Sequence, residues 1–91
     1  MKTKHTPGNW NHSDGSIYSE SDPSGKDIAT INKNGNTTEE EEHANGELIA
    51  AAPDLLDALQ SITETLHQMR RDNTISGMLM VAELAIKKAT A

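Results

Sequence analysis

From Leu48 onward, apolar residues recur at Leu48, Ala52, Leu55, Leu59, Ile62, Leu66 and Met69, in alternating steps of four and three, with Pro53 standing inside the run. Such a seam commits the segment to a helix that buries one side. A proline in a helix interior removes a hydrogen bond and clashes with the preceding turn, but is comfortable in the first turn. Both facts are met by a helical entry over 41–51, a kink or short break, and a long helix over 53–71 that starts at Pro53. Because the register is kept across the proline, both segments are expected to face the same core.

The segment "RRDNT" at 70–74 ends that helix, and Asp72, Asn73 or Thr74 can cap the next. Ile75, Met78, Leu79, Ala82, Ala85 and Ile86 then form a stripe at helical period, with Lys87 and Lys88 in the last turn, where cations suit the helix dipole. A second amphipathic helix over 74–89, antiparallel to the first because the loop is short, is the expected result. Val81 and Leu84 fall off the stripe, so this hairpin carries more apolar surface than one neighbour covers. The expectation is a homo-oligomer formed through helices 53–71 and 74–89.

The first 38 residues are of a different kind: Gly, Asn, Ser, Thr and Asp surround short β-prone islands. Asp14-Gly15 suits a two-residue hairpin turn, in which both central residues have positive φ. The stretch "DPSG" at 22–25 suits a type I turn. Together they predict an antiparallel meander of three strands, at 9–13, 16–21 and 26–32. The whole reads as a single α+β domain: a three-stranded β-meander and loops over 1–38, a helix over 39–71 kinked near Pro53, and a second helix over 72–91.

The chain has no cysteine, which excludes disulfides, thiolate nucleophiles and Cys-based zinc sites. Its net charge of −6 opposes a broad contact with a nucleic-acid backbone. No apolar run is long enough to span a bilayer, and "MKTKHTPGNW" lacks the apolar stretch of a signal peptide, so a cytoplasmic protein is expected.

The four histidines, His5, His12, His43 and His67, show no close metal-ligand spacing, and no metal or cofactor is expected. No Ser or Thr has a base and an orienting group in pattern, and no Gly-rich phosphate loop is present, so an enzyme is not expected. Three features remain. His5, Thr6 and Trp10 of "HTPGNW" either turn and plug the entering chain or offer donors and a stacking face to a ligand. Arg70 and Arg71 either complement a helix C-terminus or clamp a phosphate or carboxylate. Glu39, Glu40, Glu41 and Glu42 either favour the start of a helix or form an acidic recognition patch.

"HTPGNW" at 5–10, followed by a polar meander, an acidic run and "ANGELIAAAPDLLDAL" at 44–59, resembles a widespread family of short phage and prophage proteins. Those carry His-Thr-Pro-Gly-x-Trp and then Ala-Asn-x-Arg-Leu-Ile-Ala-Ala-Ala-Pro-Asp-Leu-Leu. Glu47 departs from the pattern, which has arginine there, so no anion-binding role passes to that position. In outline the topology is also similar to phage sponge proteins. The resemblance implies an accessory protein that opposes host defence. It would do so without catalysis, by sequestering a small nucleotide-like signal or, alternatively, by binding a host defence or regulatory protein through the acidic surface.

Overall fold

A computed structural model describes residues 4–32, 35–69 and 72–90. Three strands, β1 (Trp10–Ser13), β2 (Ser16–Ser19) and β3 (Asp27–Thr30), are followed by three helices, α1 (Glu39–Ala50), α2 (Ala52–Gln68) and α3 (Asn73–Ala89). The chain divides into two compact units. One is Thr6–Pro53; the other holds the residues from Asp54 onward, together with Lys4 and His5.

In the first unit the strands form an antiparallel sheet in the order β1-β2-β3. Asp14 at φ 47° and Gly15 at φ 84° make the β1–β2 turn, as the Asp-Gly pair requires. Asp22 and Gly25 close the β2–β3 turn by a 3.2 Å backbone bond, while the Asp22 carboxylate accepts from the backbone N–H and the hydroxyl of Ser24. The strands are shorter than the islands of suitable residues, four residues each. Trp10 pairs with Ser19 and His12 with Ile17, so these four side chains share one face. That face packs under α1, and Ile17 is buried completely. Burying one isoleucine is worth about 1.5–3 kcal/mol, a large share of what so thin a layer can gain.

Helix α1 begins where Thr38 caps it, its side chain accepting the Glu41 N–H at 3.1 Å. The break falls at Ala51, two residues before the proline, and Pro53 is the second residue of α2. The expected kink is thus a separation into two helices, with the proline where its missing N–H costs nothing.

In the second unit the pair His67 Nε2–Glu83 Oε1, at 3.3 Å, links α3 to α2. Asp72 caps α3, accepting from Ile75 N–H at 2.9 Å, and Lys87 and Lys88 stand in its last turn. Ile75, Leu79, Ala82 and Ile86 are buried, four of the six residues of the predicted stripe. The α2 seam needs correction. Leu55, Ile62 and Met69, and Leu48 of α1, are more than half exposed or close to it, at 54%, 56%, 50% and 63%. The inward row of α2 is Leu56, Leu59, Thr63 and Leu66, in which Thr63 is buried. A hydroxyl tolerates that position because it donates to Leu59 C=O one turn back, at 2.7 Å.

Candidate functional site

Among the described residues two places concentrate chemistry, one in each unit. In the first, β1 and α1 bring together His12, His43 and Glu47. His43 and Glu47 stand four residues apart on α1 and so share a face, one turn apart. Gly46, between them, is buried under the His12 ring, and a Cβ there would overlap the imidazole. His12 Nδ1 lies 3.1 Å from Glu47 Oε1, and its ring centroid is 5.6 Å from that of His43.

The three ligand-type atoms lie within 4.8 Å of one another, a spacing open to a transition metal. The hydrogen bonds assign a different role. Gly15 N–H donates to His12 Nε2 at 3.1 Å, so Nε2 is the unprotonated nitrogen of the neutral ring. The proton is then on Nδ1, where Glu47 accepts it. A metal at Nδ1 would move the proton to Nε2 and set two donors against each other at Gly15. The trio therefore latches the β1–β2 hairpin to α1. Beside it a cavity of about 570 Å³ is lined by His12, Asp14, Gly15, Glu39, Glu42 and His43.

The acidic run forms the first turn of α1. Glu41 holds its carboxylate 3.5 Å from the Thr38 hydroxyl, and Glu42 accepts from Thr37 at 3.4 Å, so half of the run serves the helix start. Within "HTPGNW", the indole N–H of Trp10 donates to Thr6 C=O at 3.0 Å, and the buried Ser19 hydroxyl donates to Pro7 C=O at 2.6 Å. Gly8 sits at φ 91°, where a Cβ would press on Ser19 and Ser21. The structure thus brings Thr6 and Trp10 together by a bond that orders the strand entry. His5 falls in the other unit. Arg70 and Arg71 lie outside the described residues.

The second place is a groove of about 690 Å³ along α2 and α3. Met80, Leu84 and Ile86 give it apolar walls, and Gln60, Glu64, His67, Glu83 and Lys87 its polar rim. His67 Nε2 lies 3.3 Å from Glu83 Oε1, which joins the two helices across it. The hydroxyls in the lining, Thr63 and Thr90, donate to Leu59 C=O and Ile86 C=O. A hydroxyl whose proton is committed to a backbone carbonyl is not poised for a base to remove. Of the groove residues, the sequence marked Leu84 and Ile86 as apolar helix positions, Lys87 as a dipole partner and His67 as a histidine without ligand spacing, and none of them as a site. The available signal was the clustering of Gln60, Glu64 and His67 at helical spacing, which hydropathy alone passes over as a solvated face.

Among the described residues, no helix is long and apolar enough to cross a membrane. The chain matches a family model described as Salmonella phage P22 protein Y8K6, over residues 1–91. It belongs to that family, and its phage origin follows. No curated protein matches it. No solved structure matches it.

Proposed function

We propose that this member of the P22 Y8K6 family is a non-enzymatic accessory protein that counters host anti-phage defence by sequestering a small nucleotide-like ligand in the groove of α2 and α3. What carries the proposal is the groove itself. Small-molecule sites are concave, roughly 300–1,000 Å³, mostly apolar, and furnished with a few polar groups. This one has about 690 Å³, the apolar side chains of Met80, Leu84 and Ile86, and Lys87 at its rim. A base would lie against the apolar side chains and a phosphate would meet Lys87. Glu64 and Glu83 share that rim, so a ligand with one phosphate charge is favoured over a polyanion.

The test is native mass spectrometry of protein recovered from infected cells, before and after denaturation. A small-molecule mass that leaves on denaturation, and that Leu84→Glu protein does not carry, is the expected result. Bare protein that also gives no heat with mononucleotides or cyclic nucleotides would end the proposal.

A second reading rests on the acidic lining of the other cavity, where Asp14, Glu39 and Glu42 converge. It makes the protein an inhibitor of a host defence protein with a basic surface. Capture of such a partner that weakens steeply with salt, and that is lost when Glu39–Glu42 are neutralised together, is what it requires. Binding unchanged by that substitution removes it.

A further inference from the structure

The groove occupies one side of the helical hairpin, and the other side is apolar and exposed. On α2, Thr63 faces inward and Glu64 lines the groove. At about 100° per residue, Ile62 therefore lies on the opposite flank, with Leu55 in line with it one heptad earlier. On α3, Ala82 is buried and Glu83 lines the groove, so Val81 lies on the opposite flank too, beside Met78. Ile62 is 56% exposed and Val81 70%.

We propose that this flank, built from Leu55, Ile62, Met78 and Val81, is the surface through which the protein pairs with a second copy of itself. The inference does not rest on the groove's ligand. Three observations select a second copy. The spacing is that of a helical seam: Leu55 and Ile62 are seven apart, and Met78 and Val81 three apart, so the occupant is itself a helix or helix pair. Two helices packed on two helices close the layer as a four-helix bundle, the same patch serving both copies.

Charge points the same way. The chain carries −6, so another copy is repelled by most of its surface. On α2, helical spacing places Asp57 and Glu64 toward the groove side and Asp54 opposite the inward row. Glu83 is in the groove. By the same spacing Lys88, a heptad after Val81, stands on the flank and no carboxylate does, so the acids that repel a second copy elsewhere are absent there. A basic partner would need acids there. An anionic membrane surface would need a rim of lysines and arginines, whereas α2 is acidic on its polar side.

The experiment is light scattering on the eluting full chain, with circular dichroism on each variant. The wild type is expected at twice the 9.8 kDa of the chain, and Ile62→Glu/Val81→Glu at 9.8 kDa with unchanged helix content. Met80→Glu, on the groove side, is expected to keep the doubled mass. Since the native chain has no cysteine, Val81→Cys under mild oxidant is expected to give a covalent dimer, and Glu83→Cys, on the groove side, is not. That arm holds if the double glutamate variant fails to fold. A wild type at 9.8 kDa, a dimer that Met80→Glu breaks and Ile62→Glu/Val81→Glu does not, or cross-linking confined to Glu83→Cys each overturns the proposal.

Discussion

The imidazole of His12 lies against the backbone of Gly46, filling the space a side chain would take there. Gly46 is thus the point at which α1 can approach β1, and its substitution tests the packing of the first unit. Alanine in place of a helical glycine ordinarily gains about 1 kcal/mol of helix propensity. Here the added Cβ overlaps a nearly buried ring, and overpacking costs about 1–3 kcal/mol. Gly46→Ala is expected to lower stability in urea unfolding; a rise would show that the ring sits elsewhere.

The same ring has a defined tautomer. Because Gly15 N–H donates to Nε2, neutral His12 carries its proton on Nδ1 and gives it to Glu47. Nitrogen chemical shifts of the His12 ring at neutral pH should show Nε2 as the unprotonated site. Glu47→Gln keeps an acceptor at an exposed position, so its effect on stability should stay within about 1 kcal/mol. His12→Ala removes both bonds and the packing on Gly46, and is expected to cost about 2–3 kcal/mol. A ring protonated on Nε2 would reopen metal ligation through Nδ1.

Ser19 ties the entering chain to the sheet. It is buried, donates to Pro7 C=O at 2.6 Å and accepts from Ser21 N–H at 3.2 Å. Ser19→Ala leaves the carbonyl and the amide without that partner, at about 1–3 kcal/mol. Trp10, the sole tryptophan and the cross-strand neighbour of Ser19, should report the change as a red shift and stronger quenching by iodide. An unchanged spectrum would mean that Trp10 is held independently of the Ser19 bonds.

Asp22 titrates below the usual carboxylate range because the Ser24 side chain, then its backbone N–H, donates to it, with Lys26 adding a smaller attraction. A depressed folded-state pKa means that these bonds stabilise the turn above the unfolded pKa and are lost as pH falls through the folded value. Carboxyl carbon shifts followed against pH should give Asp22 a low value, and Ser24→Ala should move it upward. The same pKa in both proteins would show that the turn is held by its backbone bond only.

The turns and caps were legible because their causes are local. Asp14-Gly15, Pro53 and Asp72 each announce a backbone conformation or a donor to be satisfied within four residues. The inward row of α2 was not, since Leu55-Leu59-Ile62-Leu66 and Leu56-Leu59-Thr63-Leu66 both fit a helical period, and hydropathy prefers the first. The Thr63 hydroxyl bonding its own helix is what makes the second row tolerable on the inward side. The His12–Glu47 contact spans thirty-five residues, so only the packing of α1 on the sheet creates it. His43 and Glu47, four apart on one helix, are the half of that cluster with a local signal, and were not paired from the sequence.

Asp72 tests how far the two units depend on one another. Its carboxylate accepts from Ile75 N–H at the start of α3, and an N-cap aspartate replaced by alanine typically costs about 1 kcal/mol. The loss falls on α3, whose first buried residue is Ile75. In hydrogen exchange of Asp72→Ala, amides along α3 should exchange faster by about fivefold, the factor that 1 kcal/mol confers on an opening equilibrium. The amide of Ile17, in the core of the other unit, should exchange at its wild-type rate if the units open separately. Equal acceleration at Ile17 and Leu79 would mean that Thr6–Pro53 and the helical hairpin unfold as one.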